Sequence, residues 1–237
     1  MSSPIYADPL NLESGLPLEV EDAYVTPLWN REYQGFVRYN RSEKDKDVLE
    51  AVQRVELGVW CNTELTIEAP FIFGEDKSDG YGPTPIELLY NLNQETRSLP
   101  AFTVDGALIT PTGEYNEGLD SKAELLITKT VPGTWSLHRI HLNGSYYFND
   151  DPGDTERNGA YEAIIGYEAR LNNPFVLIAD VVRREELEKG LTDNVVEVGL
   201  RYRLAPYAIL AAGIGKGFGA DAPDFVATTG VQIEFFQ

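Results

Sequence analysis

The chain has little of several things, and each shortage excludes something. It has one cysteine, Cys61, so no disulfide can form within it. It has two histidines, His138 and His141, so a cysteine or serine nucleophile has few candidate bases. Lys and Arg number 19 against 38 Asp and Glu, a formal charge of -19, which makes nucleic acid a poor partner. No run of about 18 apolar residues occurs, which excludes a transmembrane helix. No complete signal peptide is visible, although residues 2–7 resemble the tail of one, with Ala7 at the cut.

What the chain does have is alternation. From 195 to 204, Val196, Val198, Leu200, Tyr202 and Leu204 share one side, and Glu197, Gly199, Arg201 and Arg203 share the other. From 225 to 235, Phe225, Ala227, Thr229, Val231, Ile233 and Phe235 oppose Thr228, Gly230, Gln232 and Glu234. Period two is the signature of a strand with unlike faces. The pattern recurs about a dozen times, near 31–41, 48–60, 64–73, 85–94, 100–110, 119–131, 135–149, 157–171, 174–184, 193–204, 206–217 and 224–236. These runs match or exceed the 9–11 residues that a tilted strand needs to cross a bilayer, whereas strands of soluble proteins are more often 5–6 long.

The connections alternate in length. Short turns fall near 61–63, 95–99, 132–134, 172–173 and 205–206, and longer, acidic loops near 42–47, 74–84, 111–118, 150–156, 185–192 and 218–223. Short turns at one end and long loops at the other suit an outer-membrane barrel. The expected fold is therefore an all-β, antiparallel, up-and-down transmembrane barrel of about twelve strands over residues 31–237. An even strand number puts both termini on the periplasmic side. Residues 1–30 are a separate segment, either a periplasmic arm or a plug in the lumen. From 8 to 30 the chain is acidic and holds no Lys or Arg.

A small soluble barrel lacks the volume to bury so many large apolar side chains. With the apolar set turned to lipid, the polar set lines the lumen. The residues expected to form a lumen or constriction network are Arg38, Arg54, Glu56, Glu68, Arg139, His141, Glu162, Glu168, Arg170, Glu197, Arg201, Arg203 and Glu234. Some inward faces are mixed: Val176, Ile178 and Val182 share theirs with Asp180 and Arg184, Leu126 with Glu124, and Leu89 with Glu87. That makes the lumen partly apolar. The acidic loops lack the spacing of an EF-hand, Asp150-Asp-Pro-Gly-Asp154 coming nearest. No metal ligand, no cofactor and no catalytic residue is expected. Ser145 and His141 share a face but lie about 13 Å apart at 3.3 Å per residue, so a hydrolase site would have to draw a partner from a neighbouring strand.

Several fragments resemble one outer-membrane family, labelled for a MetA pathway of phenol degradation. Gly199-Leu-Arg-Tyr-Arg-Leu204, Ala211-Ala-Gly-Ile-Gly-Lys-Gly-Phe218, Ala222-Pro-Asp-Phe225 and the closing strand to Phe235 resemble its C terminus. Ile109-Thr-Pro-Thr-Gly-Glu114 is similar to its mid-chain loop, as are Glu68-Ala-Pro-Phe71, Asp79-Gly-Tyr-Gly82 and Leu142-Asn-Gly-Ser-Tyr-Tyr-Phe148 to other stretches. Pro83-Thr84 stands where that family has an Asp, and Gln237 follows Phe236 where the family ends in an aromatic. The resemblance implies a Gram-negative-type outer-membrane barrel that passes small solutes, hydrophobic or aromatic ones included. Its implied partners are outer-membrane lipid and, through the terminal aromatic, the barrel-assembly machinery. The alternatives are a structural or adhesive barrel whose acidic loops do the work and, less favoured, an outer-membrane hydrolase.

Overall fold

The computed structural model describes residues 10–42, 47–74, 80–113, 118–134, 136–219 and 222–235. Alternating, β-branched and aromatic sequence gives strands, and among the described residues there are thirteen: β1 (Arg31–Arg41), β2 (Val48–Trp60), β3 (Thr63–Gly74), β4 (Gly80–Tyr81), β5 (Thr84–Asn93), β6 (Ala101–Thr110), β7 (Asp120–Thr130), β8 (His138–Phe148), β9 (Gly159–Arg170), β10 (Phe175–Glu185), β11 (Thr192–Ala205), β12 (Ala208–Gly217) and β13 (Phe225–Phe235). β4 is a two-residue flap on Phe71 and Ile72 of β3. The other twelve are 10–14 residues long, and each pairs antiparallel with the long strands on either side of it.

β1 bonds to both β2 and β13, and β2 bonds on to β3, so the sheet closes on itself. Closure removes every sheet edge, which a bilayer requires because lipid offers no hydrogen bonds to free backbone groups. The five short connections hold two, seven, seven, four and two residues, and the six at the opposite end hold six, nine, nine, ten, six and seven. Register shifts at Gly58/Trp60, Asn91/Asn93 and Arg203/Ala205 all lie at the short-turn end, where strands must reverse sharply. Asn62 supplies the left-handed residue of the β2–β3 turn, at φ 60°.

The apolar face points outward. Ile67, Leu88, Leu108, Leu142, Ile165, Val198 and Ile214 are all exposed around the circumference. Exposed aromatics gather near the strand ends: Trp60, Tyr90, Tyr207 and Phe235 at the turn end, Phe73, Phe148, Tyr161 and Phe218 at the loop end. This is the surface of a wall in lipid, with aromatics at its two interfaces. Of the acidic loop residues read from the sequence, Glu43, Asp45, Glu75, Asp76, Asp79, Glu114, Glu117 and Asp221 lie outside the described residues, as do residues 1–7 and the terminal Phe236-Gln237.

Residues 10–26 run inside this barrel, and Pro27, Leu28 and Trp29 are exposed at its turn end. Leu10, Leu12, Leu16, Leu18, Val20 and Ala23 are each at most 3% exposed, buried against the inner wall rather than against one another alone. The segment turns tightly at Gly15, whose φ of +82° favours glycine, and Asp22 N–H donates to the Leu12 carbonyl where the chain runs back.

Candidate functional site: the occupied lumen

The polar face of every long strand meets the segment or a chamber beside it. Strand alternation places all thirteen sequence-selected residues on the inner surface, and the structure joins most of them into four groups.

In the first group, Nη2 of Arg38 on β1 donates to both carboxylate oxygens of Glu197 on β11, at 3.0 and 3.1 Å, and bonds Glu19 of the inner segment at 2.9 Å. In the second, Arg54 on β2 bonds Glu68 on β3 through Nε at 2.6 Å and lies over the Phe36 ring. Its Nη1 is 3.9 Å from Glu56 and donates to Gln34. In the third, Glu168 on β9 is 3.3 Å from His141 Nε2 and 3.7 Å from Arg139, both on β8. Arg139 also donates to the Leu10 carbonyl and stacks over Tyr24. In the fourth, Arg184 on β10 bonds Glu162 on β9 at 2.5 Å and faces Glu19 at 3.7 Å. Arg201 donates to the Asn11 carbonyl and to Gln232. Glu234 lines the turn-end chamber. Among the described residues, no ion pair reaches Arg170 or Arg203 within 4.0 Å.

Sequence reasoning did not select Glu19, Lys122 or Arg184 for this network. Lys122 on β7 is ringed by Glu124 at 2.9 Å and by Glu87 and Asp105 at 3.5 Å. Nor did it select Glu13, Glu56 and Glu64 as a group, although one carboxylate oxygen from each lies within 4.8 Å of the others.

What holds the segment is mainly wall side chains bonded to its backbone. Asn143 on β8 treats Glu21 as a neighbouring strand would: Oδ1 accepts its N–H at 3.0 Å and Nδ2 donates to its carbonyl at 2.8 Å. Asp180 accepts Val20 N–H, Thr128 accepts Ala23 N–H, and Glu64 accepts Thr26 N–H. Asn91 and Thr103 both donate to the Ala23 carbonyl. A buried backbone without strand partners needs these bonds. The mixed faces find their use here. Ile164, Val176, Ile178 and Val182 pack on Leu10, Leu12, Leu18 and Val20, and Leu89 and Leu126 pack on Ala23.

One signal in the sequence marked the docking track. Gly166, Gly199 and Gly213 sit on inward faces where a charged or polar residue would otherwise be expected. A Cβ at Gly166 would lie 2.2 Å from Val20, at Gly199 2.7 Å from Pro17, and at Gly213 2.7 Å from Leu18. Close approach of a second backbone is a standard reason for glycine in a strand.

The segment divides the interior. At the turn end, Leu10, Tyr24, Arg31, Glu32, Arg139 and Glu234 help line a chamber of about 330 Å³. Towards the loop end lie chambers of about 180 and 370 Å³, which share Ser14, Glu19 and Lys122. The smaller presents six carboxylate residues (Glu13, Glu19, Glu21, Glu50, Glu68 and Glu87) against Arg38, Arg54 and Lys122. The larger presents Glu19, Glu162, Glu185 and Glu186 against Lys122 and Arg184.

His141 does draw partners from both neighbouring strands, with Thr128 Oγ1 3.0 Å from Nδ1 and Glu168 on the other side. However, Thr128 and His141 are wholly buried, and Thr128 Oγ1 already accepts Ala23 N–H. Neither lines any of these three chambers.

Closed barrels of this size occur among solved structures. One is the crystal structure of the COG4313 outer membrane channel from Pseudomonas putida F1, with a TM-score of 0.75 at 12% identity over 92% of this chain and all of that one. The chain has the fold of an outer-membrane channel. The NanC porin is similar at a TM-score of 0.59 and 12% identity, over 86% of this chain and 98% of that one. The KdgM porin, solved in complex with disordered oligogalacturonate, is similar at 0.56 and 11%, over 87% and 99%. No protein-family model and no curated protein sequence matches the chain.

Proposed function

We propose that this protein is an outer-membrane channel for small polar solutes, stoppered by its own residues 10–26. The observation that carries the reading is the arrangement of unlike surfaces. Lipid-facing apolar side chains enclose a charged interior, and the material closing that interior is a non-covalently docked strand of chain with chambers on either side. The ends of the described chain, Leu10 and Phe235, and the short turns lie at one end, which we assign to the periplasm, with the acidic loops outside. Lipid and, during insertion, the barrel-assembly machinery are the partners this location implies.

The chambers bear on the solute. Carboxylates outnumber cations two to one in both loop-end chambers, so the interior potential favours cations over anions. A lining of this polarity supports hydrophilic solutes better than the hydrophobic or aromatic ones implied by the family resemblance. The inner segment is the constriction; of the thirteen lumen residues, Arg38 grips it through an ion pair to Glu19, and Arg139 and Arg201 through hydrogen bonds to the Leu10 and Asn11 carbonyls.

Planar-bilayer recordings test this. The full chain should show a low or intermittent conductance, and a variant lacking residues 10–27 a stable open one. Reversal potentials in a KCl gradient should have the sign of cation preference. A barrel sealed in both forms would defeat the channel reading and favour a structural or adhesive barrel. The buried Thr128-His141-Glu168 arrangement is the one feature that favours a hydrolase, and its lack of access is why the channel is preferred.

A further inference from the structure

Hydrogen bonds between segment and wall are matched at most positions, but several buried polar atoms lack a hydrogen-bond partner among the described residues, and one of them belongs to a cluster of carboxylates. Glu13 in the turn of the segment, Glu56 on β2 and Glu64 on β3 bring carboxylate oxygens within 4.8 Å of one another. They are 5%, 0% and 1% exposed. Glu32 on β1 stands directly across the ladder from Glu56 and adds a fourth buried carboxylate. The nearest guanidinium, Arg54, is 3.9 Å from Glu56 and directs its closer bonds to Glu68. Glu64 accepts Thr26 N–H at 2.6 Å and the Thr66 hydroxyl at 3.0 Å, and Glu13 accepts the Asn11 amide at 2.8 Å. Glu56 is different. Its Oε1 accepts the Gln34 amide at 2.8 Å, but its Oε2, wholly buried within the carboxylate group, has no donor.

A buried anionic oxygen without a donor is costly, and more so beside like charges. One bound cation supplies both the missing partner and the missing charge. The donors are all carboxylate oxygens, with no Cys or His among them, which selects a hard cation. Calcium takes several carboxylate oxygens at about 2.3–2.6 Å in a flexible geometry, which glutamates from separate stretches of chain can supply, whereas magnesium demands near-ideal octahedral geometry and keeps several of its waters. We propose that Glu13, Glu56 and Glu64 form a calcium site that clamps the turn of the inner segment to β2 and β3. The site draws its ligands from three distant stretches of chain, and it exists only while the segment is docked.

The experiment uses the full chain, folded in detergent and stripped with a chelator, titrated with Ca²⁺ by calorimetry beside Glu56→Gln/Glu64→Gln and Glu13→Gln. The wild type should bind one Ca²⁺ per chain with Kd on the order of 10⁻⁵ M or tighter, distinct from the weak millimolar binding of exposed carboxylates. Both variants should lose at least tenfold in affinity. Glu13 lies outside the wall, so its variant leaves the barrel ladder intact should the double variant fail to fold. Equal binding by wild type and Glu13→Gln would overturn the proposal, since the ions would then sit on the acidic loops. Absence of tight binding in the wild type would overturn it too, and would mean that the group is neutralised by protons.

Discussion

The wall and the segment inside it are built by opposite means. The wall is a closed ladder in which each strand satisfies its neighbour's backbone, so its register belongs to main chain and its side chains are free to face lipid or lumen. The segment has almost no ladder of its own. Its backbone groups end on side chains: Asp180, Asn143, Thr128, Glu64, Asn91, Arg139 and Arg201. A structure held by main chain tolerates substitution along its length. One held by side chains can be released by changing a few of them. The difference predicts that the segment can be released without unfolding the wall.

The comparison breaks most severely if the segment is removed. Deleting 10–27 should leave the heat-modifiable gel mobility and β circular dichroism of a folded barrel while converting the conductance from closed to open. Loss of the barrel fold would show that wall and segment are one unit. Next in size, Leu200→Arg on the lipid face should destabilise the wall by about 2–4 kcal/mol, read by denaturant titration in bilayers, with segment docking unchanged. The reverse selectivity is expected of Asn143→Ala. It removes two bonds to Glu21 and strands buried backbone groups, costing about 2–4 kcal/mol of docking, or more than tenfold in the closed-to-open ratio, with little effect on the wall. Gly213→Val should act in the same direction by about 1–3 kcal/mol, because the added side chain meets Leu18 while β-branching suits the strand. Protease nicking of the released segment would report both.

The smallest effect concerns pH. Glu95 sits in the β5–β6 turn and accepts bonds from Lys129, from Thr130 and from the Tyr24 hydroxyl of the segment. Partial burial pushes its carboxyl up, but these donors outweigh burial and hold it down at about 2, from 4.5. A depressed carboxyl contributes stability that is present above 4.5 and lost as pH falls through about 2. Because the carboxyl is only partly buried, in a turn at the end of the barrel, solvent screening should keep the loss below about 1 kcal/mol. Tyr24 fluorescence or nicking near it, compared between pH 6 and pH 2, should show a slight loosening that Glu95→Gln has already undergone at pH 6.

Much of the wall was legible because period two is a local property. Val196 to Leu204 declares its faces with no knowledge of what lies beside it, and the same holds for Ile86, Leu88, Tyr90 and Leu92. The inward position of Arg38, Arg54, Glu168 and Glu197 followed from the same parity. Their pairing did not, because which carboxylate meets which guanidinium depends on stagger around the barrel. Arg38 reaches Glu197 across β13 and β12, and no spacing in the sequence encodes that. Glu19 and Lys122 were passed over for the same reason. The mixed faces at Leu89, Leu126, Val176 and Ile178 were visible, as were the inward glycines, but their meaning depended on the segment that fills the space.

The sequence by itself determined a closed, up-and-down wall of twelve long strands with apolar and polar faces, because alternation, strand length and turn chemistry act within a few residues of one another. Only the tertiary structure placed residues 10–26 against the inner wall. That placement rests on bonds between residues more than a hundred positions apart, such as Glu21 to Asn143 and Val20 to Asp180, and on the gaps left by glycines on separate strands. Such contacts form only once the barrel has closed around them.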